Sequence, residues 1–566
     1  MTNKLISLVI IILFLLSGHS YSEEQFLFPK KKPSIFKEIE KTKKIDSTDN
    51  LPQKKPVLQK EEVIEREKIV EKKKVQEKYE AKTKETVVQK SLFIFPQKKP
   101  SIYKSSNKEI KKSSILNEKD FVRAKETIQF IKDRKWNSAL KSSSKVKDSE
   151  FRNLINWMYL KTTRNGASFS EYKNFIEQNS EYPRINRIRF LAEGKIYLRN
   201  NSPTSIINWF DKYPPLGGMG KIKLAEAYLE KGQTEKVQEF IKEGWETATI
   251  SKNDLGYYRA KFKKFIDSDD HIKRADYLAW EKKYWDLKRM LKYLPKDQRA
   301  LYNARQILMS NSYGVDNAIS KVPEYLKKDP GLEFDRLRWR NRRGRLEGSL
   351  EILYRNSIKT EQQMVRPDKW WEQRESVVRS LIYKKRYKTA YKISSEHALS
   401  AGPSFAEAEW LSGWIALTFL NSPEYAINHF QNFYNNVGYP ISLARGAYWL
   451  GASYEKLNEK QLSNDFYSQA AEFPMTYYGQ LAFNKINPGG NFELKDESFF
   501  DKDYEKEFKK NKLIRHIILL KELNATQLGK DIFKHLAGLN IEKGSEVLAA
   551  ELATSVERYD FAIQIS

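Results

Sequence analysis

The chain of 566 residues contains no cysteine and only six histidines. Without cysteine there can be no disulfide framework, no thiol nucleophile and no thiolate metal site. The six histidines are scattered along the chain and show no spacing typical of zinc ligands. We therefore predict that the protein binds no metal and needs no cofactor.

Long apolar runs are also missing, since none reaches the roughly 20 residues that a membrane-spanning helix requires. The longest run, residues 5–16, follows Lys4 and precedes the small residues of Ser20-Tyr21-Ser22. This order of charge, short apolar stretch and small residues is typical of a secretory signal peptide. We predict that residues 1–22 are a signal peptide that directs the chain to secretion; an uncleaved membrane anchor is the alternative.

Acidic residues are too few to balance the basic ones: 73 stand against 101, which gives a formal net charge of +28. Nucleic acid is the usual partner of so basic a chain, but export argues against it, and we predict no nucleic-acid binding. The anions outside the membrane are lipid head groups and the carboxylates of cell-wall peptides. A compositional drift towards Lys, Ile and Asn would produce the same excess without any partner.

Large apolar residues are sparse in residues 23–117, a Lys-, Glu- and Pro-rich stretch that cannot offset the entropy of ordering. We predict a disordered tether. Within it the segment FLFPKKKPSI at 26–35 returns as FIFPQKKPSI at 93–102. The duplication indicates either two docking points for a cell-wall protein or a membrane surface, or a slipped repeat in a tolerant linker.

From about residue 118 the pattern is helical, and the period-two alternation of a sheet does not occur. Apolar residues recur at the three-and-four spacing of one helix face. Helical hairpins are predicted at 118–147, 185–210, 224–245, 271–294, 299–325 and 330–354.

The clearest repeats lie between residues 405 and 486. A first helix is predicted after Ser442 as candidate cap, with the stripe Leu443, Ala447, Leu450, Tyr454 and Leu457. Its partner helix ends before Pro474, and an earlier helix begins at Ser422-Pro423. Within the pair, Leu450-Gly451, Tyr454, Ser463, Tyr467 and Ala470 fall near the positions where tetratricopeptide repeats place large, small and aromatic residues. The pattern predicts an all-α superhelix (α-solenoid) of stacked helical hairpins, preceded by the disordered segment.

Two further clusters allow two interpretations each. Residues 336–345 place six arginines around Trp339, which is consistent with an anion site or with a solvated helix whose arginines point in different directions. Asp368 is a candidate cap for a helix that begins with Trp370 and Trp371. Paired tryptophans stack on sugars, and they also form helix cores.

Residues 368–486 resemble the helical, non-catalytic part of the soluble lytic murein transglycosylases, especially the alphaproteobacterial forms. The matching stretches are DKWWEQR at 368–374, GPSFAEAEWLSGWIALTFLNSP at 402–423, PISLARGAYWLGASYEKL at 440–457 and FPMTYYGQLAFNKI at 473–486. DPGLEFDRLRWRNRRGR at 329–345 is similar too, and a weaker resemblance extends over most of residues 118–566.

The resemblance implies a periplasmic protein that binds peptidoglycan glycan strands. The family cleaves the bond between N-acetylmuramic acid and N-acetylglucosamine without water, leaving a 1,6-anhydro product. A superhelix (118–485) and a linker-type helical region (486–566) would position the strands. The binding residues that it implies are Trp370, Trp371, Arg374, Arg445, Tyr477, Tyr478 and Gln480.

The catalytic residue of the family is a glutamate in a C-terminal lysozyme-like domain, where a Glu-Ser pair is followed by a Gly-Leu-Met-Gln run. Here only Glu497-Ser498-Phe499-Phe500 resembles the first part, and no Gly-Leu-Met-Gln follows. We therefore expect that the chain ends before the catalytic domain and that Glu497 is a lookalike. The alternative is a scaffold of hairpin repeats that recruits cell-wall proteins without catalysis. A further alternative, based on the literal local match, is an active enzyme that cleaves glycan through Glu497.

Overall fold

The prediction of an all-α fold is confirmed. The computed structural model describes residues 112–310, 313–357, 360–490 and 501–565, and over these residues it contains 28 α-helices, four short 3-10 segments and no strand. The predicted signal peptide, nearly all of the predicted tether and Glu497 lie outside the described residues. No helix within the described ranges is both long and apolar enough to cross a membrane.

The N-terminal part of the array contains ten helices and begins at the residue where the helical pattern begins in the sequence. These helices are Glu118–Lys132 (α1), Trp136–Ser143 (α2), Ser149–Leu160 (α3), Phe169–Gln178 (α4), Ile185–Glu193 (α5), Pro203–Lys212 (α6), Gly218–Glu230 (α7), Thr234–Thr247 (α8), Lys252–Lys261 (α9) and Ser268–Trp280 (α10).

The middle of the array continues the same antiparallel pairing. Its helices are Tyr284–Met290 (α11), Lys296–Leu308 (α12), Val315–Ser320 (α13), Pro330–Arg342 (α14), Leu346–Arg355 (α15), Glu361–Met364 (α16), Pro367–Tyr383 (α17), Tyr387–Ser395 (α18), Gly402–Phe419 (α19), Pro423–Asn435 (α20), Pro440–Lys456 (α21), Lys460–Ala471 (α22) and Tyr477–Ile486 (α23).

The C-terminal segment adds five more helices, and each predicted hairpin is present. They are Lys502–Lys509 (α24), Lys512–Glu522 (α25), Lys530–Ala537 (α26), Ser545–Ser555 (α27) and Tyr559–Ile565 (α28). Residues 109–566 form one compact unit. The division into a superhelix and a linker-type region at residue 485 stays a prediction.

The α21–α22 hairpin packs as the repeat pattern predicts. Gly451 lies against the ring of Tyr467, where an added Cβ would come within 2.9 Å of a ring carbon. The Ser463 hydroxyl donates to the Gly451 carbonyl at 2.9 Å. Tyr454 stacks on Phe466 with 5.5 Å between the ring centroids. Small residues thus let the two helices approach, and aromatic residues fill the space beside them.

The predicted helix caps are wrong in detail. Ser422 occupies the N-cap position of α20, but its hydroxyl donates to the Leu420 carbonyl instead of accepting from the helix. Ser442 and Asp368 lie inside the first turns of α21 and α17, because each helix begins earlier, at a proline. A proline fixes φ near the helical value and needs no amide partner, so these helices begin there.

The arginine-rich segment forms α14 and the turn after it, and its side chains point in different directions. Arg338 pairs with buried Asp335 at 2.9 Å, whereas Arg342 donates to the Leu308 carbonyl at 2.6 Å. Arg343 and Arg345 lie over the ring of Trp339. The segment therefore does not form the single anion patch that the sequence allowed.

The two ends of the helical unit contact each other. One hydrophobic cluster contains buried residues from α1–α7 together with buried residues from α24–α28. At its margin Asp531 on α26 accepts from Lys161 at 3.0 Å and from Arg184 at 3.1 Å. The Tyr182 hydroxyl lies 2.6 Å from Nε2 of buried His516. The hairpin array is therefore closed on itself by the segment that follows residue 500.

Candidate functional site

The first helices of four consecutive hairpins, α17, α19, α21 and α23, pack side by side. They carry all seven of the residues predicted to bind a ligand. We call the surface of these helices that is not covered by α18, α20 and α22 the first-helix face. Repeats of this kind use such continuous surfaces for binding.

The first three predicted residues are buried in the core. Trp370 packs edge-on against Phe334, with 5.7 Å between the ring centroids, and Trp371 packs edge-on against His397 at 6.2 Å. Nη1 of Arg374 donates to the Ile393 carbonyl at 3.0 Å, and burial lowers the pKa of this guanidinium to about 10. All three side chains are at most 2 % exposed. They join α17 to its neighbours and present no surface to a ligand.

Arg445 reaches the first-helix face from α21. Its guanidinium carbon lies 3.4 Å from the centroid of the Trp410 ring on α19, a stacked cation–π contact. Trp410 in turn stacks on Trp414, one turn along the same helix, with 5.9 Å between centroids. Burial lowers the pKa of Arg445, and its interaction with Tyr478 and the charge of Glu407 partly oppose this effect. The arginine is therefore a half-buried cation held flat on an aromatic surface.

The aromatic contacts continue from α19 to α23. Trp449 lies 6.1 Å from Trp410 and 6.3 Å from Tyr478, measured between ring centroids. Tyr448 is 5.3 Å from Tyr478. Tyr448 and Trp449 are buried and also contact Tyr467 and Phe430 on the second helices, whereas Trp410, Trp414 and Tyr478 remain partly accessible and Tyr477 is 66 % exposed. Together they form an aromatic ladder across three hairpins, defined here by Trp410, Trp414, Trp449, Tyr448, Tyr478 and Tyr477.

The start of α23 is fixed by its own sequence. The Thr476 hydroxyl accepts from the Gly479 amide at 3.0 Å and caps the helix. Gly479 sits against the Phe473 carbonyl, where an added Cβ would lie 2.0 Å from the oxygen. Only glycine fits there. This packing holds Tyr477, Tyr478 and exposed Gln480 on the first turn, and the Gln480 amide donates to the Pro474 carbonyl at 3.1 Å.

Three charged residues on the same face were not predicted as site residues. The Arg379 guanidinium bonds the Glu375 carboxylate one turn away on α17 and lies 3.8 Å from the Glu407 carboxylate on α19. Burial raises the pKa of Glu407, and the negative charge of Glu375 raises it further. The four-residue spacing of Glu375 and Arg379 could have indicated their pairing. No sequence signal joins Glu407 to them, because it lies on another hairpin.

Behind this face a buried carboxylate fixes α19 to its neighbours. Glu409 lies 2.9 Å from Nε2 of His397 and 2.8 Å from Nδ1 of His429. Burial alone would raise the pKa of Glu409, but the hydrogen bonds from the two histidines lower it to about 2. Nδ1 of His397 accepts the Leu399 amide at 3.0 Å, which places the ring proton on Nε2. The sequence separates these histidines by 32 positions and gave no sign that they meet.

The described residues contain no group of three or more His, Asp or Glu side chains placed to hold a metal ion. The lookalike Glu497 belongs to residues 491–500, outside the described ranges.

Comparison with known proteins gave only structural similarities. No family model matches the sequence, and no curated protein matches it. The 70 kDa soluble lytic transglycosylase of Escherichia coli is similar with a TM-score of 0.43 and 13% identity, over 78% of this chain and 71% of that one. A complex of the 70-kDa soluble lytic transglycosylase with bulgecin A gives a TM-score of 0.44 at 13% identity, over 78% of this chain and 71% of that one. An inactive mutant of the lytic transglycosylase Slt from Pseudomonas aeruginosa gives 0.49 at 15% identity, over 75% and 67% of the two chains. All three scores lie below 0.5 and carry no argument about function.

Proposed function

We propose that this chain is a periplasmic, peptidoglycan-associated protein of the lytic transglycosylase family. Its superhelix would position glycan strands for non-hydrolytic cleavage of the bond between N-acetylmuramic acid and N-acetylglucosamine. The sequence motifs at 368–374, 402–423, 440–457 and 473–486 support the family. Cleavage to the 1,6-anhydro product would be carried out by a lysozyme-like domain, which we do not identify among the described residues.

The observation that carries the proposal is the aromatic ladder with Arg445 stacked on it. Four of the seven predicted binding residues, Arg445, Tyr477, Tyr478 and Gln480, lie on α21 and α23 and are at least partly accessible. Arg445 interacts with Tyr478, whose ring centroid lies 5.2 Å from that of Tyr477. Aromatic rings offer flat apolar faces to the C–H groups of sugar rings. Guanidinium groups pair with the carboxylates of stem peptides. The face therefore supplies both chemistries that a peptide-bearing glycan strand requires.

In this proposal the residues of the first-helix face bind and orient the strand and do not act on the scissile bond. Holding a strand in one orientation lowers the entropic cost of the reaction that follows. The acid/base step of family members uses a single carboxyl group, which protonates the leaving oxygen and then assists attack by the sugar's own hydroxyl. No residue of the first-helix face is assigned to that step.

Purified peptidoglycan sacculi provide the test. The chain is incubated with sacculi and pelleted, and the supernatant is analysed for 1,6-anhydro-muropeptides. Co-sedimentation without anhydro product is expected, and Tyr477→Ala should weaken it, since the exposed ring loses its contact. Tyr383→Ala is the matched control, because this tyrosine is 88 % exposed and lies outside the ladder. Anhydro product that disappears in Glu497→Gln would overturn the assignment of catalysis to another domain.

A protein-recruiting scaffold is the second candidate. Four apolar side chains at the starts of α21 and α23 are 66 to 80 % exposed: Tyr439, Ile441, Met475 and Tyr477. These two helices pack together, and neighbouring exposed apolar groups are typical of protein-binding surfaces. In this candidate residues 23–117 act as the docking arm that first captures the partner. Deleting residues 23–117 distinguishes the two functions. Glycan binding through the first-helix face should survive the deletion, whereas recruitment through the tether should be lost.

A further inference from the structure

Four charged side chains from three hairpins meet beside the aromatic ladder. Glu375 and Arg379 come from α17, Glu407 from α19 and Arg445 from α21. Arg379 approaches both carboxylates, and the charges of Arg379 and Arg445 both act on Glu407. We call these four residues the charge cluster. They carry two positive and two negative charges, so the cluster is neutral as a whole.

The four side chains of the charge cluster do not fully pair with one another. Arg379 bonds Glu375 but stays 3.8 Å from Glu407, which is beyond the usual length of a charge-assisted hydrogen bond. The Glu407 side chain is 48 % exposed. On the other side of the cluster, Arg445 has one face covered by Trp410, and its Nε is buried without a hydrogen-bond partner. Glu407 also interacts with the Glu375 carboxyl group, and Arg445 with the Tyr478 hydroxyl. Glu407 is nevertheless exposed enough to accept a further donor, and Nε of Arg445 stays unpaired.

This charge arrangement selects the chemistry of a ligand. A simple anion would approach Arg445 but would be repelled by Glu375 and Glu407. A simple cation would be repelled by the two arginines. A neutral sugar would give neither Glu407 nor Arg445 an ionic partner. A group that carries an ammonium and a carboxylate on the same carbon matches the cluster at both ends.

We propose that the charge cluster binds a free amino-acid head group, with its ammonium on the Glu407 and Glu375 carboxylates and its carboxylate on Arg445. The inference rests on the proposed function, because the stem peptides of peptidoglycan can carry such a head group on their diamino acid. The aromatic ladder would hold the sugars while the charge cluster fixes the peptide. The surface would therefore bind strands with uncrosslinked stem peptides in preference to crosslinked ones, since a crosslink consumes the free ammonium.

Isothermal titration calorimetry of the full chain with two synthetic tripeptides tests whether the charge cluster binds a free amino-acid head group. The first is L-alanyl-γ-D-glutamyl-meso-diaminopimelate with its side-chain amino-acid head group free, and the second has the ammonium of that head group acetylated. The free tripeptide should bind about tenfold or more tightly than the acetylated one. Glu407→Gln and Arg445→Gln should each reduce this preference. Glu424→Gln, an exposed glutamate on α20, is the matched control and should preserve it.

Equal affinity for the two tripeptides would overturn the inference, and this comparison needs no variant. A thermal melt of each variant verifies that a loss of binding is not a loss of fold. If neither tripeptide binds but sacculi and chitotetraose do, the inference fails and the proposed function stands. If peptide, chitotetraose and sacculi all fail to bind, both proposals fail.

Discussion

The guanidinium of Arg515 on α25 forms a bidentate ion pair with the carboxylate of Asp148 at the start of α3. Nη1 lies 3.1 Å from Oδ1 and Nη2 lies 2.6 Å from Oδ2, although 367 positions separate the two residues. Asp148 also caps α3 by accepting the Phe151 amide at 2.7 Å. One carboxylate therefore both begins a helix of the first hairpins and anchors the segment that closes the array.

Replacing Arg515 by Met should lower the free energy of unfolding by about 1 kcal/mol, because a bidentate, half-buried ion pair is lost. Urea unfolding at pH 7 measures the change. Lys506→Met is the control, since Lys506 pairs with Asp503 where both side chains are more than 70 % exposed. An equal effect of the two substitutions would show that the Arg515–Asp148 pair contributes nothing beyond a surface contact.

Stability should depend on pH through His516. Burial lowers the pKa of His516 to about 4, against an ordinary value of 6.5. As the pH falls, the unfolded chain protonates this histidine before the folded chain does. The contribution of neutral His516 to the free energy of unfolding is therefore fully present above pH 6.5 and is lost as the pH falls to 4. The loss amounts to roughly 3 kcal/mol. In urea unfolding at pH 7.5, 6 and 5, His516→Gln should show a shallower decline than the parent chain. Parallel declines in the two chains would contradict this assignment.

Glu409 should act in a lower pH range. Its pKa of about 2 lies below the ordinary 4.5, so its contribution is present above pH 4.5 and is lost as the pH falls towards 2. Glu409→Gln should therefore cost roughly 2 to 3 kcal/mol at neutral pH and clearly less at pH 3. Thermal melts at the two pH values measure the difference. As a control, Glu424→Gln should change the melting temperature little at either pH. If Glu409→Gln lowers stability equally at both pH values, the ionised Glu409 carboxylate is not the group that stabilises the fold.

Two glycine substitutions test the packing of the hairpins. Gly451→Ala places a methyl group against the Tyr467 ring and the Ser463 carbonyl, so it should destabilise the fold by about 1 to 3 kcal/mol. Gly256→Ala in α9 meets no atom within 4 Å and should stabilise by about 0.5 to 1 kcal/mol, since alanine favours the helix. Chemical denaturation of both variants measures the contrast. Destabilisation by Gly256→Ala would mean that close packing does not explain the loss at Gly451.

The paired tryptophans mark the limit of what helical periodicity predicts. Spacing correctly places Trp370 and Trp371 on one helix, but it cannot say whether a ring faces a neighbouring hairpin or an open surface. Phe334 and His397 cover them, and both belong to other elements of the fold. Tyr477 and Tyr478 are likewise two adjacent aromatic residues on one helix. Tyr477 is nevertheless exposed, because no other helix covers its side chain.

The sequence by itself determined the helices, their antiparallel pairing and the small residues at their contacts, as Gly451 and Ser463 show. These features depend on neighbours within about 20 positions, so their cause is local periodicity and helix-terminal chemistry. The tertiary structure decided the closure by Arg515 and Asp148, the convergence of His397 and His429 on Glu409, and the meeting of Glu407 with Arg445. Each of these contacts joins residues of different hairpins, and the Arg515–Asp148 pair joins opposite ends of the array. They depend on how the hairpins stack, which the periodicity within one repeat does not encode.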